Sequence, residues 1–135
     1  MRIYYSKNSD PMITDTVSDL NTLSLRLKRF LSSREPQLFL PADTSCSAAP
    51  FDSLLSGICF EKGTGPILVT LESEQTLRVT GSIENLEVWC SHFTFPDGAT
   101  EGDHRHPENV ERAEYLALDT LSVIIEVQDA PENAL

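Results

Sequence analysis

The sequence predicts an α+β fold: a mainly antiparallel sheet of four to six strands with two amphipathic helices packed on it. Three observations predict it. First, Ile67–Leu71 and Leu77–Thr80 alternate apolar and polar residues on either side of Glu72-Ser73-Glu74-Gln75, the pattern of a hairpin with one buried face. Second, Leu20, Leu23, Leu27 and Leu31 recur at helical spacing, as do Ile83, Leu86, Trp89 or Cys90, and Phe93. Third, Val123-Ile124-Ile125 is apolar on both faces, which places a last strand centrally in the sheet. With 135 residues, 40% of them hydrophobic, the chain is long enough to bury one core without staples. No repeat or linker divides it, so residues 1–135 are expected to form a single domain.

The elements follow in order. Residues 1–6 are aromatic and β-branched and predict a first strand; residues 7–13 (Lys-Asn-Ser-Asp-Pro-Met-Ile) predict a turn. The first helix spans roughly 19–32, with Phe30 beside its apolar stripe and Arg26, Lys28 and Arg29 mainly on the other side. Its N-cap is Ser18, Asp19 or Asn21; with Asn21, Leu20 and Leu25 would form a hydrophobic staple. Residues 35–50 contain three prolines and a run of small residues and predict a loop holding an extended piece at 37–40. One helical turn is expected over 51–56 and a strand over 57–61, closed by the turn at 62–65. After the hairpin, Gly81 ends the strand and Ser82 caps a second helix over 83–93, with Glu84 and Glu87 favourably placed near its positive end. Pro96-Asp97-Gly98 stops that helix, 97–120 is polar and irregular, the last strand spans about 122–127, and the tail 129–135 is expected to fray.

Charge narrows the function classes. The chain holds 21 acidic residues against 10 Lys and Arg, a net charge of −11. Nucleic acid needs a cationic surface to displace phosphate counterions, so it is not an expected ligand, and neither is an anionic membrane. No apolar run approaches the roughly 20 residues that span a bilayer, and the first residues lack a signal-peptide core. Cys46, Cys59 and Cys90 are odd in number and widely spaced, which predicts small buried or half-buried thiols in a reducing cytoplasm rather than a disulfide framework. The acidity is uneven. Ten acids between Asp97 and Glu132 face only Arg105 and Arg112, a local net of −8, while Arg26, Lys28, Arg29 and Arg34 make the outer face of the first helix basic.

One block carries possible chemistry: His104-Arg105-His106-Pro107-Glu108, preceded by Asp103. On an extended segment His104, His106 and Glu108 point the same way. Two imidazoles and a carboxylate are ligands suited to zinc or non-haem iron, and are also an acid–base set. Against this, Pro107 interrupts a strand, the loop is long and polar, and the remaining histidine, His92, belongs to the second helix. No glycine-rich phosphate loop, nucleophile elbow or zinc-protease motif is present in the sequence, and Gly63-Thr64-Gly65-Pro66 leads into a strand rather than a helix.

The run Gly65-Pro66-Ile67-Leu68-Val69, then Leu77 to Leu86, then His104 to Glu108, then Tyr115-Leu116-Ala117 and Asp119 to Ile125 resembles a group of small bacterial proteins placed with the thirty-second immunity-protein family of polymorphic toxin systems. The resemblance covers about residues 60–127. The strand-Gly-Ser-helix junction and the His-x-His-x-Glu block are its most specific parts. Two positions depart from the family pattern: Asp103 stands where an aromatic often precedes the first histidine, and Thr120 where a serine follows the aspartate. The resemblance implies a cytosolic bacterial protein that neutralises a toxin and transfers no catalytic role to the histidines.

Three expectations result. The leading one is a non-catalytic binding protein, without cofactor, whose acidic residues Glu101, Asp103, Glu108, Glu111, Glu114 and Asp119 cover a basic protein partner. The alternative is a metal-binding protein or small metalloenzyme holding Zn or Fe at His104, His106 and Glu108. The third is a homo-oligomer in which the basic helix face meets the acidic third of a neighbouring copy.

Overall fold

A computed structural model describes residues 1–110 and 115–129. The chain opens with two antiparallel strands, β1 (Arg2–Tyr5) and β2 (Met12–Asp15), with Ile3 opposite Ile13. Asn8 turns between them at φ 67°, a left-handed conformation that asparagine tolerates better than most residues. Helix α1 (Val17–Ser32) follows at once. The strand β3 (Gln37–Pro41) and the two-residue β4 (Ser53–Leu54) lead to β5 (Gly57–Lys62) and to the hairpin β6 (Leu68–Glu72) and β7 (Thr76–Gly81). Helix α2 (Ile83–Cys90) tightens into a 3₁₀ turn at Ser91–Phe93, and β8 (His104–Arg105) and β9 (Ile124–Val127) complete the order.

The fold is α+β with mainly antiparallel pairing, as the sequence predicts. The strands divide into two sheets, of order β4-β1-β2-β9-β8 and β3-β5-β7-β6, where the sequence predicts one of four to six strands. Periodicity identifies a buried face but not the partner strand, so it cannot count sheets. The parallel ladders are β2 with β9 and β5 with β7. Strand β9 is flanked on both sides, by β2 and β8, in line with its two-sided apolar pattern.

Local chemistry corrects several boundaries. Thr16 caps α1, accepting at Oγ1 from Asp19 N at 3.2 Å, so none of Ser18, Asp19 and Asn21 is the cap. Leu25 is 56% exposed and forms no staple with the fully buried Leu20. Asn21 instead braces the far loop: its amide nitrogen donates to Phe95 O at 3.0 Å and its oxygen accepts from Phe95 N at 2.9 Å. Residues 12–13 belong to a strand rather than a turn, and residues 53–54 pair with β1 rather than forming a helical turn. Ser82 caps α2 as expected, accepting from Asn85 N at 3.1 Å. The frayed tail predicted for 129–135 lies, beyond Asp129, outside the described residues.

One apolar cluster joins both sheets and both helices. Ile3, Ile13 and Ile125 come from the five-stranded sheet, Phe60 and Val79 from the other, and Leu27 and Trp89 from the helices. Phe60, Trp89 and Phe93 form an aromatic centre with ring centroids 5.9–6.4 Å apart, tilted or edge to face. Gly57 is required where β5 begins its pairing with β3: a Cβ there would lie 2.5 Å from the Phe39 ring and 2.6 Å from Leu40 O.

Candidate functional site

The histidine block is held by the margin of the five-stranded sheet. Gly102 adopts φ 93°, open to glycine at little cost, and its N–H donates to Val127 O at 3.0 Å. Val127 N donates back to Asp103 O at 2.8 Å, and His104 and Arg105 then pair with Glu126 and Ile125. The strand stops there, because Pro107 has no N–H to continue the ladder. His106 O accepts from Asn109 N at 2.9 Å, so the chain turns rather than staying extended.

The turn still brings the predicted residues together. The His104 and His106 rings lie 5.1 Å apart, edge to face at 89°. His106 Nδ1 is 3.4 Å from Glu108 Oε1. His104 Nδ1 faces Gly102 O at 3.1 Å; a carbonyl only accepts, so this nitrogen carries the proton and Nε2 is the free ligand position. Glu108 is half-buried, and its Oε2 is buried with no hydrogen bond among the described residues. Glu126, not singled out by sequence reasoning, sits directly across from His104, a neighbour that only the strand pairing reveals. Among the described residues, no group of three His, Cys, Asp or Glu side chains is arranged to hold a metal ion.

The acidic residues are placed on different segments. Glu101 and Asp103 are exposed on the turn into β8, where Asp103 Oδ2 accepts from Thr100 N at 2.9 Å. Asp119 is exposed on the segment 115–121, which runs beside β6. Glu111 and Glu114 lie outside the described residues. Asp97, Glu101, Asp103, Asp119 and Asp129 are all exposed, and within the described residues none makes an ion pair. Four acids elsewhere have cationic partners, while Asp19, Glu35, Glu74 and Glu87 are exposed and make no ion pair within the described residues. Asp15 holds the Met1 amine at 2.8 Å, Asp43 faces Arg2 at 3.6 Å, and Glu61 and Glu72 share Arg78. The hydrogen bond that Arg78 Nε donates to Glu72 Oε2 in particular raises the Arg78 pKa.

Cys59 and Cys90 are not activated as nucleophiles. Burial raises the Cys59 pKa and pushes that of Cys90 far above the ordinary range, so both are held as neutral thiols. Cys46 is half-buried. No helix among the described residues is long and apolar enough to cross a membrane.

Sequence reasoning also missed a groove of about 260 Å³ between α1 and β3, lined by Arg26, Arg29, Phe30, Ser33, Glu35, Gln37 and Leu38. The basic run was legible; the strand beside it being a sheet edge was not. Compared with protein-family models, curated proteins and solved structures, the chain matches none.

Proposed function

We propose that the protein is a non-catalytic binding protein of the bacterial cytoplasm that covers a basic surface on a protein partner. Neutralisation of a basic toxin is the specific form favoured by the sequence resemblance. The observation that carries the reading is the local excess of acids, ten between Asp97 and Glu132 against Arg105 and Arg112. Of these, Asp97, Glu101, Asp103, Asp119 and Asp129 are exposed and make no ion pair within the described residues. Exposed, unneutralised carboxylates steer a cationic partner and set its orientation more than they set bare affinity.

The test is surface-based kinetics against basic toxin domains encoded beside this gene, measured over a salt series. The association rate falls as salt rises, and the double reversal Glu101→Lys/Asp103→Lys slows it by about tenfold. An association rate indifferent to both salt and reversal sinks the reading.

The metal reading keeps one observation in its favour, the 5.1 Å spacing of the two imidazoles beside Glu108. Stoichiometric zinc in protein purified without a histidine tag, lost in His104→Ala/His106→Ala, would replace a binding-only function with a metal-dependent one.

A further inference from the structure

The four-stranded sheet ends on β3, with no strand beside it among the described residues. Its hydrogen-bond phase follows from its flanks. Lys62 N donates to Pro36 O at 2.9 Å and Ala42 N to Ser56 O at 2.9 Å, so the even-numbered residues of β3 form the narrow pairs with β5. Gln37 and Phe39 therefore point their N–H and C=O groups away from the sheet, and no hydrogen bond within the described residues reaches them. Pro41 adds an outward carbonyl but no N–H. This is a short template for one more strand, with two donors.

What lies beside the template sets its chemistry. Phe30 and Leu38 give the groove between α1 and β3 an apolar floor, and Arg26 and Arg29 stand exposed on its helix side. Neither arginine makes an ion pair within the described residues. A third cation, Lys62, holds its Nζ 4.6 Å from the Phe30 ring centre while donating to Ser33 O at 2.7 Å. In a chain of net charge −11, this is a local cationic site, opposed at its rim only by Glu35.

We propose that the β3 edge and the α1 groove bind an extended acidic peptide segment of a partner protein, which adds to the sheet as a fifth strand. Its backbone bonds to Gln37 and Phe39. One apolar side chain rests on Phe30 and Leu38, and flanking carboxylates reach Arg26 and Arg29. This mode takes affinity from main-chain hydrogen bonds and specificity from alternate side chains. A second copy of the chain is a poorer occupant, because β3 itself (Gln-Leu-Phe-Leu-Pro) brings no acid to meet the arginines. The surface is separate from the acidic one assigned above, so either proposal can fail alone.

The test is an amide NMR titration of the whole chain with a heptapeptide alternating Glu and Val, and with its Lys/Val counterpart. Shifts with the Glu peptide cluster at residues 26–41, and the Gln37 and Phe39 amides become protected from exchange. Arg26→Glu/Arg29→Glu, at exposed positions that leave the fold intact, weakens binding by about tenfold or more. Phe39→Pro, which deletes an outward donor, abolishes it. Equal binding of the Lys peptide, shifts elsewhere on the molecule, or concentration-dependent pairing of β3 edges without peptide would each overturn the proposal.

Discussion

At one edge of the four-stranded sheet the backbone beside and within β6 is bonded by a later segment of the chain; at the other, Gln37 and Phe39 face outward. The closed edge is stitched by Ile67 N to Tyr115 O at 2.8 Å, Ala117 N to Ile67 O at 2.9 Å and Leu121 N to Val69 O at 3.0 Å. Thr120 completes it, its Oγ1 accepting from Val69 N at 2.7 Å. The cover leaves Leu118 fully exposed, so closure is not a search for maximum apolar burial; it satisfies an edge that would otherwise pair with other chains. The open edge is guarded more economically, by Pro36 and Pro41 at its ends and charged neighbours on α1. Those devices limit unwanted pairing without removing the template.

The largest expected effect comes from removing the anchor of the cover. Tyr115 is fully buried, and Tyr115→Ala is expected to cost about 3–5 kcal/mol in urea unfolding. Phe39, 50% exposed on the open edge, should cost about 1 kcal/mol or less on truncation to Ala. Equal losses would mean that the two edges are equally structural. A finer probe of the closed edge is Thr120→Val, which strips the acceptor from the buried Val69 amide and is expected to cost about 1–3 kcal/mol, while Thr120→Ser retains stability.

Amide exchange sharpens the same contrast without mutation. The amides of Ile67, Val69 and Leu121 should exchange only through opening of the cover, while those of Gln37 and Phe39 exchange as solvent-facing groups. Slow exchange at Phe39 in the isolated monomer would show that the open edge is covered.

Each edge was partly legible in sequence: the extended piece expected at 37–40 is β3, but its place at the sheet margin was not readable. The β6–β7 hairpin follows from alternation alone, and its register sets Val69 opposite Val79 and Leu71 opposite Leu77. Ser82 signals its helix because a good cap precedes acids and an apolar stripe. Strand β2 hid for a physical reason: it buries Thr14 and Asp15, polar residues satisfied by Gln128 at 2.9 Å and by the Met1 amine, partners distant in sequence. Its pairing with β9 likewise joins Met12 to Ile124, which no local pattern encodes. Of the candidate site, the His104–His106–Glu108 grouping was readable from spacing, but Glu126 beside it and the α1–β3 groove depend on which strands are neighbours.

The smallest expected effect uses the thiols as reporters of the open edge. Cys59 lies on β5 directly opposite Phe39 and is 7% exposed, Cys90 is the buried last residue of α2, and Cys46 is half-buried in a loop. Alkylation should therefore run Cys46 first, Cys59 next and Cys90 last, with Phe39→Ala accelerating Cys59 alone because that ring is its neighbour at the edge. The pH dependence has a defined sign. Burial raises the pKa of both Cys59 and Cys90 above the ordinary thiol value of 9.0, so the folded chain holds these protons more tightly than the unfolded chain. Their contribution to stability is complete below about pH 9 and declines as pH rises beyond it, when the unfolded thiols ionise first. Urea midpoints measured at neutral pH and above pH 9 should fall in the native chain and fall less in Cys90→Ala. An equal fall in both would assign the alkaline loss to other groups. A Cys59 labelling rate unchanged by Phe39→Ala would show that something besides the Phe39 ring shields the open edge.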